Sequence, residues 1–231
     1  FHAQAAIRDA QESRGLGDVY KRQENNMPLW GAAHAAATNK PKFLPTDEDS
    51  DYNRADCYAT QAGWVMQAGH PSSGNGNTGA DPEVLVASGG LAGATDTTGL
   101  RAPTVTSARF VTTSHTNGSS KTMTVEVTWD EGVTVAGSPQ LTLANGNQGT
   151  GSGRTVVLTY TATGSTANRK RFTATNLTFA TNDIITLGGG SQADIALNSG
   201  TLSDTVRGGT AQAASRVLTG LDAQTVTVTA S

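Results

Sequence analysis

Thr122-Met123-Thr124-Val125-Glu126-Val127-Thr128-Trp129 alternates apolar and polar side chains without a break, and its reading decides the fold. Side chains of an extended strand point to opposite faces with a period of two. Met123, Val125, Val127 and Trp129 therefore share one face and suit a core, while Thr122, Thr124, Glu126 and Thr128 are expected on a wet face. The same alternation recurs in Val156, Leu158 and Tyr160 against Thr155, Thr159 and Thr161. Leu141 and Leu143 form a short strand beyond Pro139, and Ile184-Ile185, Ile195 with Leu197, and Val226 with Val228 supply further candidates. Turn chemistry separates them at Asn117-Gly118, Asn145-Gly146, Gly149 to Gly153, Gly188-Gly189-Gly190 and Gly208-Gly209. Six to eight short strands punctuated in this way predict a β-sandwich over residues 102–231. Its expected core is Trp129 surrounded by Phe110, Val125, Val127, Leu141, Leu143, Leu158 and Tyr160.

Composition points the same way. The chain has 231 residues, 27 of them glycine and 35 threonine, with only 15% charged and 5% aromatic residues. Threonine is β-branched and suits a pleated, half-exposed surface better than a helix. The fold class expected is all-β. A single cysteine, Cys57, excludes a disulfide framework within the chain. No stretch of apolar residues is long enough for a membrane-spanning helix, so no membrane partner is expected. A net charge of −3 argues against nucleic acid, whose binding rests on neutralising phosphates.

Before the sandwich, residues 27–99 read as a small glycine- and alanine-rich segment with two strand-like runs, Cys57 to Gln67 and Glu83 to Ser88. This segment is expected to be either a hairpin module or an extended arm ordered on a neighbouring subunit. Residues 1–26 are expected to be a non-native or disordered leader. Asp18-Val19-Tyr20-Lys21-Arg22-Gln23 resembles the translation of a transposon end used to build sequencing libraries, and Met27 is a plausible start soon after it.

Two family resemblances follow from quoted residues. Val125-Glu126-Val127-Thr128-Trp129-Asp130-Glu131-Gly132-Val133-Thr134-Val135, followed by Ser138-Pro139-Gln140-Leu141-Thr142-Leu143 and later Val157-Leu158-Thr159-Tyr160-Thr161, resembles a bacterial immunoglobulin-like repeat. That likeness covers about Ala102 to Leu218 and has tryptophan at 129 where the family pattern leads one to expect phenylalanine. Met27-Pro28-Leu29-Trp30-Gly31, Asn39 to Leu44, Ala62 to Val65 and Pro82 to Ala87 are similar to small virion structural proteins of tailed phages of marine bacteria. Together they imply a virion structural or accessory protein, partnered by other virion proteins, by itself or by a host-surface glycan. The alternative is an extracellular or cell-surface adhesin or carbohydrate-binding module.

Candidate chemistry is sparse, and no cofactor and no turnover are expected. Asp130-Glu131, at a strand end, is the weak metal candidate; calcium would need six to eight oxygens, and turn chemistry is the plainer reading. Asp47-Glu48-Asp49-Ser50-Asp51 opens like a calcium loop but has Tyr52 and Tyr58 where glycine and glutamate would be needed. Gly74-Asn75-Gly76-Asn77-Thr78-Gly79 matches a dinucleotide-binding string, yet Asp81-Pro82 follows instead of a helix, so it reads as a loop. His2, His34, His70 and His115 are expected in loops or in the leader, and Cys57 reads as a small buried hydrophobe rather than a nucleophile. Asn168-Arg169-Lys170-Arg171, the one basic cluster, is expected as a charged loop or edge between two strands.

Overall fold

The computed structural model describes residues 40–44, 54–69, 75–87, 91–92, 102–147, 154–204 and 211–231. The leader, His2, His34, His70, Gly74, the acidic run Asp47 to Asp51 and the glycine turns at 149–153 and 208–209 lie outside them. The described chain is all-β and sandwich-like. No described helix is long and apolar enough to cross a membrane.

A first, three-stranded sheet is built from β1 (Tyr58–Thr60), β2 (Gly63–Met66) and β3 (Glu83–Ala87), in that order. The run from Cys57 to Gln67 is thus a hairpin and not one strand. The Thr60 hydroxyl makes its turn, accepting from Ala62 N at 3.2 Å and donating to Gly63 O at 3.2 Å. Cys57, Ala59, Trp64, Met66, Val86 and Leu91 form its small core. Arg54 straps residues 41–44 onto it, its Nη2 donating to Lys42 O and Leu44 O at 2.8 Å each.

The larger body comprises β4 (Val105–Phe110), β5 (His115–Thr116), β6 (Gly118–Trp129), β7 (Val133–Ala136), β8 (Gln140–Asn147), β9 (Arg154–Thr161), β10 (Arg169–Phe179), β11 (Asp183–Leu187), β12 (Thr201–Asp204) and β13 (Gln224–Thr229). Eight of these run in the order β4-β6-β10-β9-β8-β11-β13-β5, and β12 pairs with β7 separately. Neighbours are antiparallel except β13 and β5, which are parallel. The sheet turns back on itself: Gln224 on β13 donates to Ala108 O on β4 at 2.8 Å, and Asn117 N before β6 donates to Thr229 O at 2.9 Å. Burying both inner faces against each other is what makes a sandwich from one alternating pattern.

Met123, Val125, Val127, Trp129, Leu141, Leu143, Leu158 and Phe172 are fully buried there, with Phe110 close behind. Tyr160 differs from the expectation. It is half-buried and packs against the core from its margin, edge-on to Phe172 with ring centroids 6.3 Å apart. Ile195 is buried but belongs to no strand; Ala196 makes only an isolated bridge to Gln140. Asn145-Gly146 lies inside β8 instead of making a turn, because the Asn145 amide is held by Asp183, Nδ2 to Oδ2 at 3.2 Å. His115 is no loop residue: it forms β5 and meets Phe179 edge-on at 5.4 Å.

Gly188 closes the turn after β11 with φ of 82°, and a Cβ there would lie 2.5 Å from Asp222 O. Gly188→Ala is therefore expected to cost about 1–3 kcal/mol in urea unfolding, since both the backbone conformation and the space refuse a side chain. Gly190→Ala, with nothing within 4 Å of its Cβ, is the matched control and should be close to neutral.

Candidate functional site

The polar face of β6 is not wet along its length. Glu126 is 1% exposed and Thr128 2%. A carboxylate is buried at such a cost only when it is paired and hydrogen-bonded. Three arginines supply this. Arg109 on β4 donates to Glu126 Oε1 at 2.8 Å and 3.2 Å, Arg171 Nε on β10 reaches Oε2 at 3.0 Å, and Arg169 Nη1 stands 3.5 Å from Oε1. Burial alone would raise the Glu126 pKa, but the arginines outweigh it and hold the group below its ordinary value.

The basic run 168–171 is consequently not a free loop. Arg169, Lys170 and Arg171 begin β10, directly opposite Thr128, Val127 and Glu126 on β6. Lys170 is buried and donates to Thr166 O at 2.5 Å, and burial pushes its ammonium down to about 8. Asn168 is fully buried, donating from Nδ2 to Trp129 O at 3.2 Å and to Asp56 O at 3.4 Å. It thereby ties the end of β6 to the small sheet.

That junction is where Asp130-Glu131 lies. Ala59 on β1 pairs in parallel with Glu131, and Ala59 N donates to Asp130 O at 2.6 Å. Asp130 is buried and accepts from Thr104 N at 2.6 Å on Oδ1. Burial raises its pKa, against the Thr104 hydrogen bond and the nearby Lys40 charge. Lys40 is itself buried, with Nζ 5.9 Å from the centroid of the Trp64 ring. Burial brings its pKa down to about 8, while Cys57, Asp130 and Asp56 pull the other way. Arg169 Nη1 also stands 3.8 Å from Asp56 Oδ1. The pair read as a strand-end turn is thus the hinge point of two β bodies, enclosed by charges from distant parts of the chain.

Glu131 is the odd member. It is 4% exposed, and its Oε1 is buried with no hydrogen-bond partner. Burial pushes its pKa up to about 8, reinforced by the negative charges of Asp130 and Asp204. It lines a cleft of about 410 Å³ between the small sheet and the sandwich. Tyr58, Ala59, Val65, Pro82 and Val84 provide apolar walls, and Asp81 and Asp204 are the other ionisable acids. Among the described residues no group of three or more His, Cys, Asp or Glu side chains is placed to hold a metal ion.

The other candidates are set apart from this cleft or contribute no reactive group to it. Cys57 is fully buried, and burial holds its thiol up to about 12, so it is a thiol and not a thiolate at neutral pH. Within the described part of the glycine-rich string, Asn75 Oδ1 accepts from Asn77 N at 3.0 Å and Asn77 Oδ1 from Gly79 N at 3.1 Å. Those side chains take backbone donors that a phosphate would need, and the chain proceeds to β3 rather than a helix. Both described tryptophans, Trp64 and Trp129, are buried.

No protein-family model, no curated protein and no solved structure matches this chain.

Proposed function

We propose that this chain is a non-enzymatic structural or accessory protein of a phage virion, in which residues 27–99 attach to the particle and an immunoglobulin-like sandwich is displayed. The observation that carries this reading is the polarity of β6. Its Trp129 end abuts the small sheet through Ala59, Asp130 and Asn168. Its Gly118 end meets the segment after β13, where Ser231 N donates to Asn117 Oδ1 at 2.9 Å. Twelve strand residues separate these ends, roughly 40 Å at the rise of an extended chain. Such a body has a base and a far tip. The base also offers an edge for strand addition: β3 lies at the margin of its sheet, and Val84 on it is 50% exposed.

The genes flanking this reading frame test the proposal. Capsid or tail genes on either side are the expected finding, and secretion or cell-wall genes would instead favour the adhesin. A carbohydrate-binding module would present exposed aromatics; among the described aromatic residues only Phe43 is largely exposed, at 65%.

A further inference from the structure

We infer that the cleft between the small sheet and the sandwich is a binding site for a primary alkylammonium group, with Glu131 as the carboxylate that receives it. Three observations lead there. Glu131 Oε1 is a buried acceptor with no partner, although buried polar atoms are nearly always paired. The cleft it lines, about 410 Å³, falls in the range of small-molecule sites, roughly 300–1,000 Å³. The described ionisable acids on that lining are Glu131, Asp81 and Asp204, and no lysine, arginine or histidine is among the lining residues.

The lining selects the chemistry. An anion would meet three acidic side chains and no basic one. A neutral alkyl chain would satisfy Val65, Pro82 and Val84 but leave Oε1 orphaned. A hydrated metal ion wants several oxygens at close range, and no such cluster is formed among the described residues. An ammonium on a short alkyl stem meets both demands. The stem lies on the apolar wall, and the compact head gives an N–H to the Glu131 carboxylate, with Asp204 and Asp81 on the same lining.

The site should also release a proton. Glu131 faces Asp130 on its own segment and Asp204 on β12, with Asp81 across the cleft, and Lys40 lies beyond Asp130. These acids, with burial, keep it protonated at neutral pH, so an arriving ammonium must displace the carboxyl proton to water. The bond formed is N–H···O⁻ and the proton lost is that of Glu131, one for each cation bound.

Calorimetric titration of the full chain with n-butylammonium at pH 7, in two buffers of different ionisation enthalpy, tests this. The expected result is saturable binding, with an enthalpy difference between buffers that reports about one proton released per ligand. n-Butanol should bind about tenfold more weakly, the loss of one charge-assisted hydrogen bond. Glu131→Gln should lose the proton release and that same preference. The substitution replaces a group that is already uncharged in the folded protein at pH 7, so the fold should tolerate it. In the unaltered chain, backbone amide resonances of Ala59, Gly132 and Ala167 should shift on titration while that of Thr113 stays fixed. Nα-acetyl-lysine amide as a second probe separates the sources: tighter binding than butylammonium points to a lysine of a partner protein, and equal binding to a free amine. Equal affinity for butylammonium and butanol, no proton release, or unchanged behaviour of Glu131→Gln would each overturn the inference.

Discussion

Glu126→Gln is expected to lower the stability of the protein by about 2–4 kcal/mol at pH 7, on the order of 10 °C in the thermal midpoint. The reason lies in what remains. Glutamine fills the same space, but Arg109, Arg169 and Arg171 then converge on a neutral amide. Removing one partner of a fully buried ion pair costs roughly 3–5 kcal/mol. Here the cost is discounted, because Arg109 is 39% and Arg171 34% exposed and both can turn to water. Arg169, at 14%, has less freedom, though it keeps Asp56 at 3.8 Å.

The pH dependence separates charge from shape. Burial would raise the Glu126 pKa, but the arginines hold it below the ordinary carboxylate value of 4.5. A folded-state pKa below the unfolded one gives stability that is present above the unfolded value and lost as pH falls through the folded one. The gap between the two proteins in urea unfolding should thus be full at pH 7 and narrow as the pH is taken below the carboxylate range. An equal gap at both ends would mean that the arginines are indifferent to the charge and only the fit of the side chain matters.

This same cluster marks the limit of what was legible in the sequence. The strand around Val125 and Val127 could be read because burying one face imposes a period of two, and that period is local. The polar face departs from that pattern at Glu126 and Thr128 because what covers it comes from elsewhere: Arg109 on β4 and Arg169 and Arg171 on β10. A signal was present, however. One acid in mid-strand, with a basic run opening a later strand, is the pattern of a cross-strand ion pair once the antiparallel register is drawn. The hairpin within Cys57 to Gln67 was obscured for another reason. Its turn, Gln61-Ala62, lacks the usual glycine, asparagine or proline pair; the Thr60 hydroxyl does the work instead, with Gly63 just after at φ of 132°.

Asp130-Glu131 illustrates a third kind of gap. The pair stands out by residue type as a weak metal candidate, but its surroundings depend on Ala59, Lys40 and Asp204, which no spacing rule connects to it. Contacts of this range are created by the docking of two bodies, each of which is patterned only for its own core.

Trp129→Ala should be the most disruptive single substitution in the core, at about 3–5 kcal/mol. Part of that is volume, since Trp129 is fully buried at the centre of the sandwich. The rest is polar. Trp129 Nε1 donates to Ser215 O at 2.9 Å, and Ser215 N in turn donates to Pro103 O at 2.8 Å, so the ring pins the segment before β13 and the entry to β4 together. Trp129→Phe restores most of the volume but not the donor. It should cost about 1 kcal/mol, the net loss of a hydrogen bond to a carbonyl that is only partly buried. The backbone of the same residue carries the junction: Trp129 N donates to Asn168 O at 2.9 Å, and Asn168 Nδ2 returns to Trp129 O and reaches Asp56 O in the turn just before β1. Loosening the ring should therefore be felt beyond the sandwich. In urea, the loss of strand signal and the change in tryptophan emission, to which Trp64 in the small sheet contributes, should move to lower denaturant together in Trp129→Ala. A shift in the strand signal alone, with the emission transition unmoved, would show that the two bodies unfold independently and that Asn168 is a contact without mechanical consequence.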